Sequence, residues 1–280
     1  MLEPKILRSI APGMDGQVVA SIDVRLARIC EAHGVRIPLA IESGSRAWGF
    51  PSPDSDYDCR FIFVRPSHDY LALFQKRDVI ETPIDRVFDV GGWDLKKAIT
   101  LLLKGNAVVV EWLTSPIIYA ADEHFRAEFS ALADRVLDRS RIARHYLHLG
   151  ERIRRSDLSD PSDAPLKTLF YALRPAVMLR WLQLHHARAY GPMHFPTLVR
   201  EAELPATLCS LIADLLTRKA QTRELGRGAL PGPISAFMDA EFEAARQWAS
   251  PREQGPSDAA HRDADDFFRR MVREFGEGPG

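Results

Sequence analysis

The chain has 280 residues, 46% of them hydrophobic, enough for a substantial core in one large domain or two unequal ones. Its 37 basic and 38 acidic side chains leave a formal net charge of -1, which excludes a global attraction to nucleic acid or an anionic membrane while leaving room for a local basic face. The 3 cysteines, Cys30, Cys59 and Cys209, are far apart and form no CxxC pair, so neither a disulfide framework nor a thiolate zinc site is expected. With no apolar run of membrane-spanning length and no basic segment leading into one, the expectation is a cytoplasmic protein.

From Val19 to about His33, Ile22, Leu26, Ile29 and Cys30 recur at three- and four-residue intervals, which predicts a helix stopped by Gly34. "RIPLAIE", from Arg36 to Glu42, alternates as a strand does, and the aromatic and β-branched "YDCRFIFV", from Tyr57 to Val64, predicts another that ends before Pro66. Two short strands are expected around Asp78 to Glu81 and Ile84 to Val90, with Gly91-Gly92 ending them. Helices follow from Trp93 to Gly105 and, capped by Asn106, from Asn106 to Leu113. Beyond Ser115-Pro116 no two-residue alternation is evident. Helical periodicity covers Glu123 to Leu137, Arg139 to Arg155, Pro165 to His186, Glu203 to Lys219 and Ile234 to Trp248, and a short helix is expected in the C-terminal "FFRRMVREF". The fold class is therefore α+β, with a mixed region over residues 1–120 and a helical region over 121–280.

Between the first two strands lies "GSRAWGFPSPDSDYDCR", from Gly44 to Arg60. Asp56 and Asp58 stand two residues apart where a strand begins, so both side chains point to one face. Such a pair repels itself unless a cation intervenes or one member is protonated. Carboxylate oxygens suit Mg2+ or Mn2+, which bind phosphate oxygens and polarise a phosphoryl group. Gly44 and Ser45, just beyond the preceding strand, can turn an uncrowded backbone toward an anion. Singly, a DxD pair or a GS pair marks an ordinary turn. Their order, strand, GS, short loop, then SDxD opening another strand, points to a phosphate-holding turn followed by metal ligands.

This stretch resembles the signature of the DNA polymerase beta superfamily of nucleotidyltransferases: GS, a few residues, G, then DxD or DxE. "SGSRAWGFPSPDSDYDCRFIFV", "GGWDLKKAITLLLKGNAVVVEWLTSPIIY" and "KTLFYALRPAVMLRWL" together resemble, more narrowly, the predicted nucleotidyltransferases associated with RNA repair and RNA ligase. The resemblance implies a small mixed sheet flanked by helices and transfer of a nucleoside monophosphate from a nucleoside triphosphate, such as ATP, to a hydroxyl, with two divalent ions on three carboxylates. It makes Gly44 and Ser45 the phosphate-binding pair and Asp56 and Asp58 the first two carboxylates. The third is expected from a neighbouring strand. Asp89 in "RVFDVGG" is the choice, Asp85 competes for the role, and Glu81 ranks behind both. RNA is the acceptor the narrower resemblance implies; transfer of AMP to a protein or small molecule, or an inactive nucleotide-binding regulator, are the alternatives.

Arg46, directly behind Gly44-Ser45, reads as a triphosphate contact or a surface arginine. Arg60 shares the strand face of Asp56 and Asp58, where it either positions phosphate or forms a structural salt bridge. Lys167, Tyr171 and Arg174 recur at four- and three-residue spacing and so share one helical face; such a face is ordinarily solvated, but "KTLFYALRP" is part of the resemblance, which implies that these three contact nucleotide or phosphate. Asp94, Asn106 and Glu111 read as a helix-start residue, a cap and a buried ion-pair member. The histidines form no metal-binding spacing.

Overall fold

A computed structural model describes residues 5–83, 87–222, 226–249 and 255–276. The chain opens with strand β1 (Ile6–Ser9) and helix α1 (Gly16–His33), then β2 (Arg36–Glu42), the short α2 (Gly44–Ala47), β3 (Tyr57–Val64), the short α3 (Ser67–Tyr70), β4 (Val79–Glu81) and β5 (Phe88–Asp94). Two helices, α4 (Leu95–Leu103) and α5 (Ala107–Thr114), lead to β6 (Ile118–Asp122), α6 (Glu123–Val136) and α7 (Arg139–Ser156). The remainder holds β7 (Ala164–Pro165), α8 (Leu166–Leu184), α9 (Phe195–Glu201), α10 (Ala206–Gln221), β8 (Arg227–Gly228), α11 (Gly232–Trp248) and α12 (Asp258–Phe275). The architecture is a mixed sheet flanked by helices and followed by a helical region.

The sheet runs β1-β6-β2-β3-β5-β4 and is antiparallel except where β3 lies parallel to β5. That parallel pair sets Asp58 directly opposite Asp89 and Phe63 opposite Asp94. Alternation divides the core in two. Tyr57, Cys59, Phe61 and Phe63 pack with Val19, Ile22, Leu26 and Ile29 of α1 on one face. Ile62 and Val64 join Leu39, Ile41 and the helical region on the other, in one continuous core that reaches Val272. Asp58 and Arg60 share this second face by parity, so the helical region is packed against the same side of the sheet as the signature carboxylates.

Four expectations are corrected. Gly91-Gly92 does not end a strand: β5 continues through both to Asp94, because Gly92 is where the Phe61 ring of β3 crosses, and a Cβ there would lie 2.2 Å from the ring. The expected helix from Trp93 accordingly begins at Leu95, with Asp94 accepting the Lys96 N–H as its cap. Helical periodicity alone does not account for the chain after Ser115: β6 pairs with both β1 and β2, and its five residues are too few, and too buried on both faces, to show alternation. The C-terminal helix spans 18 residues, with Ala260, Ala264, Phe267, Met271 and Val272 buried. Residues 84–86, and with them Asp85, lie outside the described residues.

Gly92→Ala is expected to destabilise the protein by about 1–3 kcal/mol, since Phe61 is fully buried and has no space to yield. Denaturant titration checks this, and a Phe61→Leu substitution in the same background should recover part of the loss.

Candidate functional site

The site is assembled where β2, the Gly44–Asp56 loop, β3 and β5 meet. Gly44 has a left-handed backbone, φ 59°, and a Cβ placed there would sit 1.9 Å from Oδ2 of Asp58. The glycine therefore serves conformation and proximity together: its missing side chain is the space occupied by the Asp58 carboxylate. The Ser43 N–H donates to the Asp58 carbonyl at 2.8 Å, tying the turn to the strand.

Serines and one arginine shape the loop between the glycine and the carboxylates. Ser45 Oγ donates to Ser55 Oγ at 3.0 Å, and Ser55 Oγ also accepts the Ser52 N–H at 2.9 Å. The Arg46 guanidinium donates to the carbonyls of Asp56 at 3.0 Å and Ser55 at 2.5 Å and lies 4.0 Å from the centre of the Tyr57 ring. Arg46 is thus engaged in holding the loop backbone immediately ahead of the DxD pair.

Asp58 and Asp89 project from adjacent strands and are bridged by Arg60. Its Nη2 lies 2.6 Å from Asp89 Oδ2 and 3.4 Å from Asp58 Oδ1, while Nη1 donates to the Asp89 carbonyl at 2.7 Å. Burial first, then the charge of Asp56, pushes the Asp58 carboxyl up to about 6; Asp89 adds to the rise, and Arg60 and Arg46 oppose it. One guanidinium does not neutralise this cluster. Glu42, wholly buried at the end of β2, accepts the Asp58 N–H at 3.0 Å and the Tyr119 hydroxyl. Burial pushes its carboxyl up to about 7 against the pull of those two hydrogen bonds.

The helical region contributes from α8 and α10. Tyr171 packs edge-on against Trp48 with ring centroids 5.6 Å apart, and its hydroxyl titrates high through burial and the negative charges of Asp58 and Asp56. Lys167 is exposed one turn earlier and shares an electrostatic neighbourhood with Asp54 and Lys219. Arg174 departs from the expected nucleotide contact. It is 3% exposed and enclosed between Glu111, 2.9 Å away, and the Trp48 ring, 4.7 Å away, so its charge is met inside the protein. The shared helical face holds, but it passes from solvent at Lys167 to core at Arg174. Glu111, which also accepts from the Tyr146 hydroxyl at 2.7 Å, is the buried ion-pair member its position suggested.

Two residues of this neighbourhood escaped the sequence reading. Lys219 is 2% exposed and its Nζ donates to the Phe50 carbonyl at 2.7 Å; burial, then Lys167, lowers it to about 8. It continues the buried stripe Leu208, Ile212, Leu215 on α10, the signal that would have found it. Glu42 shares the inward parity of Ala40 on β2, a signal hidden by its place at a strand end.

Among the described residues, no group of three or more His, Cys, Asp or Glu side chains is arranged to hold a metal ion, and no helix is long and apolar enough to cross a membrane. The model of the RNA repair pathway DNA polymerase beta family matches residues 18–270. The chain is also similar to the uncharacterized protein YcgL of Bacillus subtilis (strain 168), 37% identical over 218 residues, which cover 78% of this chain and 83% of the relative.

Both Glu42 and Asp58 titrate higher in the fold than their ordinary values of 4.5 and 3.8, so the folded state binds more protons than the unfolded one across that interval. Their contribution to stability is complete below about pH 4 and is lost as pH rises through about 6 and 7. Without divalent cations, thermal denaturation should give a lower Tm at about pH 8 than at about pH 5, and Glu42→Gln, which keeps an acceptor for the Asp58 N–H, should flatten that slope. An unchanged slope in the variant would exclude Glu42 as a source.

Proposed function

The chain belongs to the RNA repair pathway DNA polymerase beta family, and we propose that it transfers a nucleoside monophosphate from a nucleoside triphosphate to a hydroxyl at an RNA end. Membership itself supports a nucleotidyltransferase-type reaction; the donor, the acceptor and the metal dependence are our reading. The observation that carries it is the seating of the Asp58 carboxylate in the space left by Gly44. The phosphate-holding turn and the carboxylate pair are thereby one contiguous unit, as transfer from a metal-bound triphosphate requires.

The donor set suits Mg2+ or Mn2+. It consists of carboxylate oxygens, and the Asp58 carboxyl is raised by burial first and then by the charge of Asp56, despite Arg60. Asp56 and Asp58 would hold the ion, with Asp89 joining from β5 to the extent that it gives up its bond to Arg60. When bound, the ion neutralises phosphate charge and polarises the phosphoryl group under attack. The protein's own groups orient the reactants. Gly44 and Ser45 receive the terminal phosphates, Arg46 fixes the loop that presents Asp56, and Arg60 keeps Asp58 and Asp89 on one face. Tyr171 and Lys167 border the donor from the helical side, and Lys219 braces the loop from below.

Arg60 also supports a second reading. Its 2.6 Å bond occupies one oxygen of Asp89, and a chain that never released it would bind nucleotide without transferring it.

Incubation of the full chain with Mg2+ or Mn2+, α-labelled nucleoside triphosphates and separate RNA, DNA and protein acceptors tests both readings. We expect label on RNA, reduced at least about a hundredfold by Asp58→Asn. Gly44→Ala should be comparably inactive because its Cβ displaces the Asp58 carboxylate. Label on protein alone would overturn the acceptor, and nucleotide binding with no transfer to any acceptor would establish the second reading.

A further inference from the structure

The motif "GWDLKKAITLLLKG" contributes nothing to the carboxylate site, and its position explains why. Phe63 and Asp94 pair five residues farther along the parallel strands than Asp58 and Asp89, roughly 17 Å at 3.3 Å per residue. At that far end a cavity of about 590 Å³ opens between the segment after β3, the segment leading into β4, and α4.

Its lining is cationic. Six lysine and arginine side chains stand against three carboxylates, and the carboxylates are already engaged. Asp94 is buried, accepts from the Tyr70 hydroxyl at 3.2 Å and lies 3.6 Å from Arg65. Asp69 pairs with Lys76 at 2.8 Å and Asp78 with Lys97 at 3.1 Å. Arg77 pairs with Glu81 at 2.6 Å. Lys96 on α4 and Lys104 just after its end, both exposed, have no ion-pair partner among the described residues. Between Tyr70 and Gln75, which both line the cavity, the chain carries Leu71, Leu73 and Phe74, each at least 85% exposed. Uncompensated ammonium groups beside an exposed aromatic ring are the combination that holds a phosphodiester chain and stacks an unpaired base.

We propose that this cavity is a second nucleic-acid site, which grips the phosphate backbone of single-stranded RNA through Lys96 and Lys104 and stacks a base on Phe74. The choice of RNA over an acidic protein segment rests on the acceptor reading above and on the exposed ring, which a purely acidic partner does not need. The site adds affinity for a longer strand at a distance from the carboxylates and takes no part in phosphoryl transfer.

Fluorescence anisotropy of a labelled, unstructured RNA oligonucleotide, titrated with the full chain in EDTA over a range of salt, measures this binding without catalysis. The double variant Lys96→Ala/Lys104→Ala should keep its Tm, since neither side chain has an ion-pair partner among the described residues. It should bind about tenfold more weakly, with a slope of log K against log salt shallower by about 1.4, the loss of two phosphate contacts on a single strand. Phe74→Ala should lose about fivefold or more at unchanged slope. Unchanged affinity and slope in the double variant would overturn the proposal, as would equal binding of polyglutamate, which would assign the surface to an acidic protein. If no transfer to RNA is found while Lys96- and Lys104-dependent binding persists, the acceptor reading falls and this site stands.

Discussion

Like charges brought together at the end of a sheet repel one another, and the arrangement of this protein's signature region depends on how that repulsion is met. Burial, and after it the charges of Asp56 and Asp89, push the Asp58 carboxyl up to about 6. Arg60, bonded to both strands, is the fixed counterion. Parallel pairing of β3 and β5 makes this possible, because only in that register do Asp58 and Asp89 leave the same face side by side with Arg60 two residues further on. The glycine of the signature has a related task. It adds no charge, but its bare Cα lets the carboxylate approach the turn. A chain with the same charges and any side chain at position 44 would have to push Asp58 out of place.

The loop carrying these groups is fixed from both sides, and this connects the helical region to the chemistry. On the sheet side Arg46 binds the backbone carbonyls of Ser55 and Asp56. On the helical side the Phe195 N–H donates to the Trp48 carbonyl at 2.8 Å, Lys219 donates to the Phe50 carbonyl, and Phe50 stacks on Phe170 of α8 with centroids 5.1 Å apart. Arg174 belongs to this scaffold too, since it underlies Trp48 and answers Glu111. A buried lysine with one carbonyl acceptor is costly to desolvate, and its lowered titration records that cost. A structure that retains it gains a precisely held loop: leucine or methionine at 219 would suit the apolar stripe of α10 but could not bond Phe50.

Much of this was legible in the sequence because it is local. Arg36 to Glu42 and Tyr57 to Val64 have the strand bounds that alternation and aromatic, β-branched content indicate, and α6, α7, α8, α10 and α11 lie within a few residues of where periodicity places them, while α9 is not among the expected helices. What was not legible depends on neighbours. The passage of β5 through Gly91-Gly92 is set by the Phe61 ring of another strand, and the strand character of β6 by burial between β1 and β2. Arg174 and Lys219 show the same limit from opposite directions. Arg174 shares a helical face with a solvent-exposed lysine, which suggests a ligand contact, yet it is buried. Lys219 follows three apolar residues at helical spacing, which suggests only a break in the stripe, yet it reaches the signature loop. In both cases the helix face was evident, and what the face meets was not.

The near-zero net charge conceals a polarity along β3 and β5. Both strands start at carboxylates, Asp58 and Asp89, and both end beside the cationic cavity, at Arg65 and Asp94. Each end is organised around a buried or half-buried group of the opposite sign: Arg60 among the acids, Asp94 among the bases. Both groups are also held by the backbone: Arg60 donates to the carbonyls of Cys59 and Asp89, and Asp94 accepts the Lys96 N–H. With its counter-charge fixed, each cluster keeps a surplus facing solvent, negative at one end and positive at the other. A net charge near zero over the whole chain is therefore compatible with local surpluses of both signs, which the sum does not show.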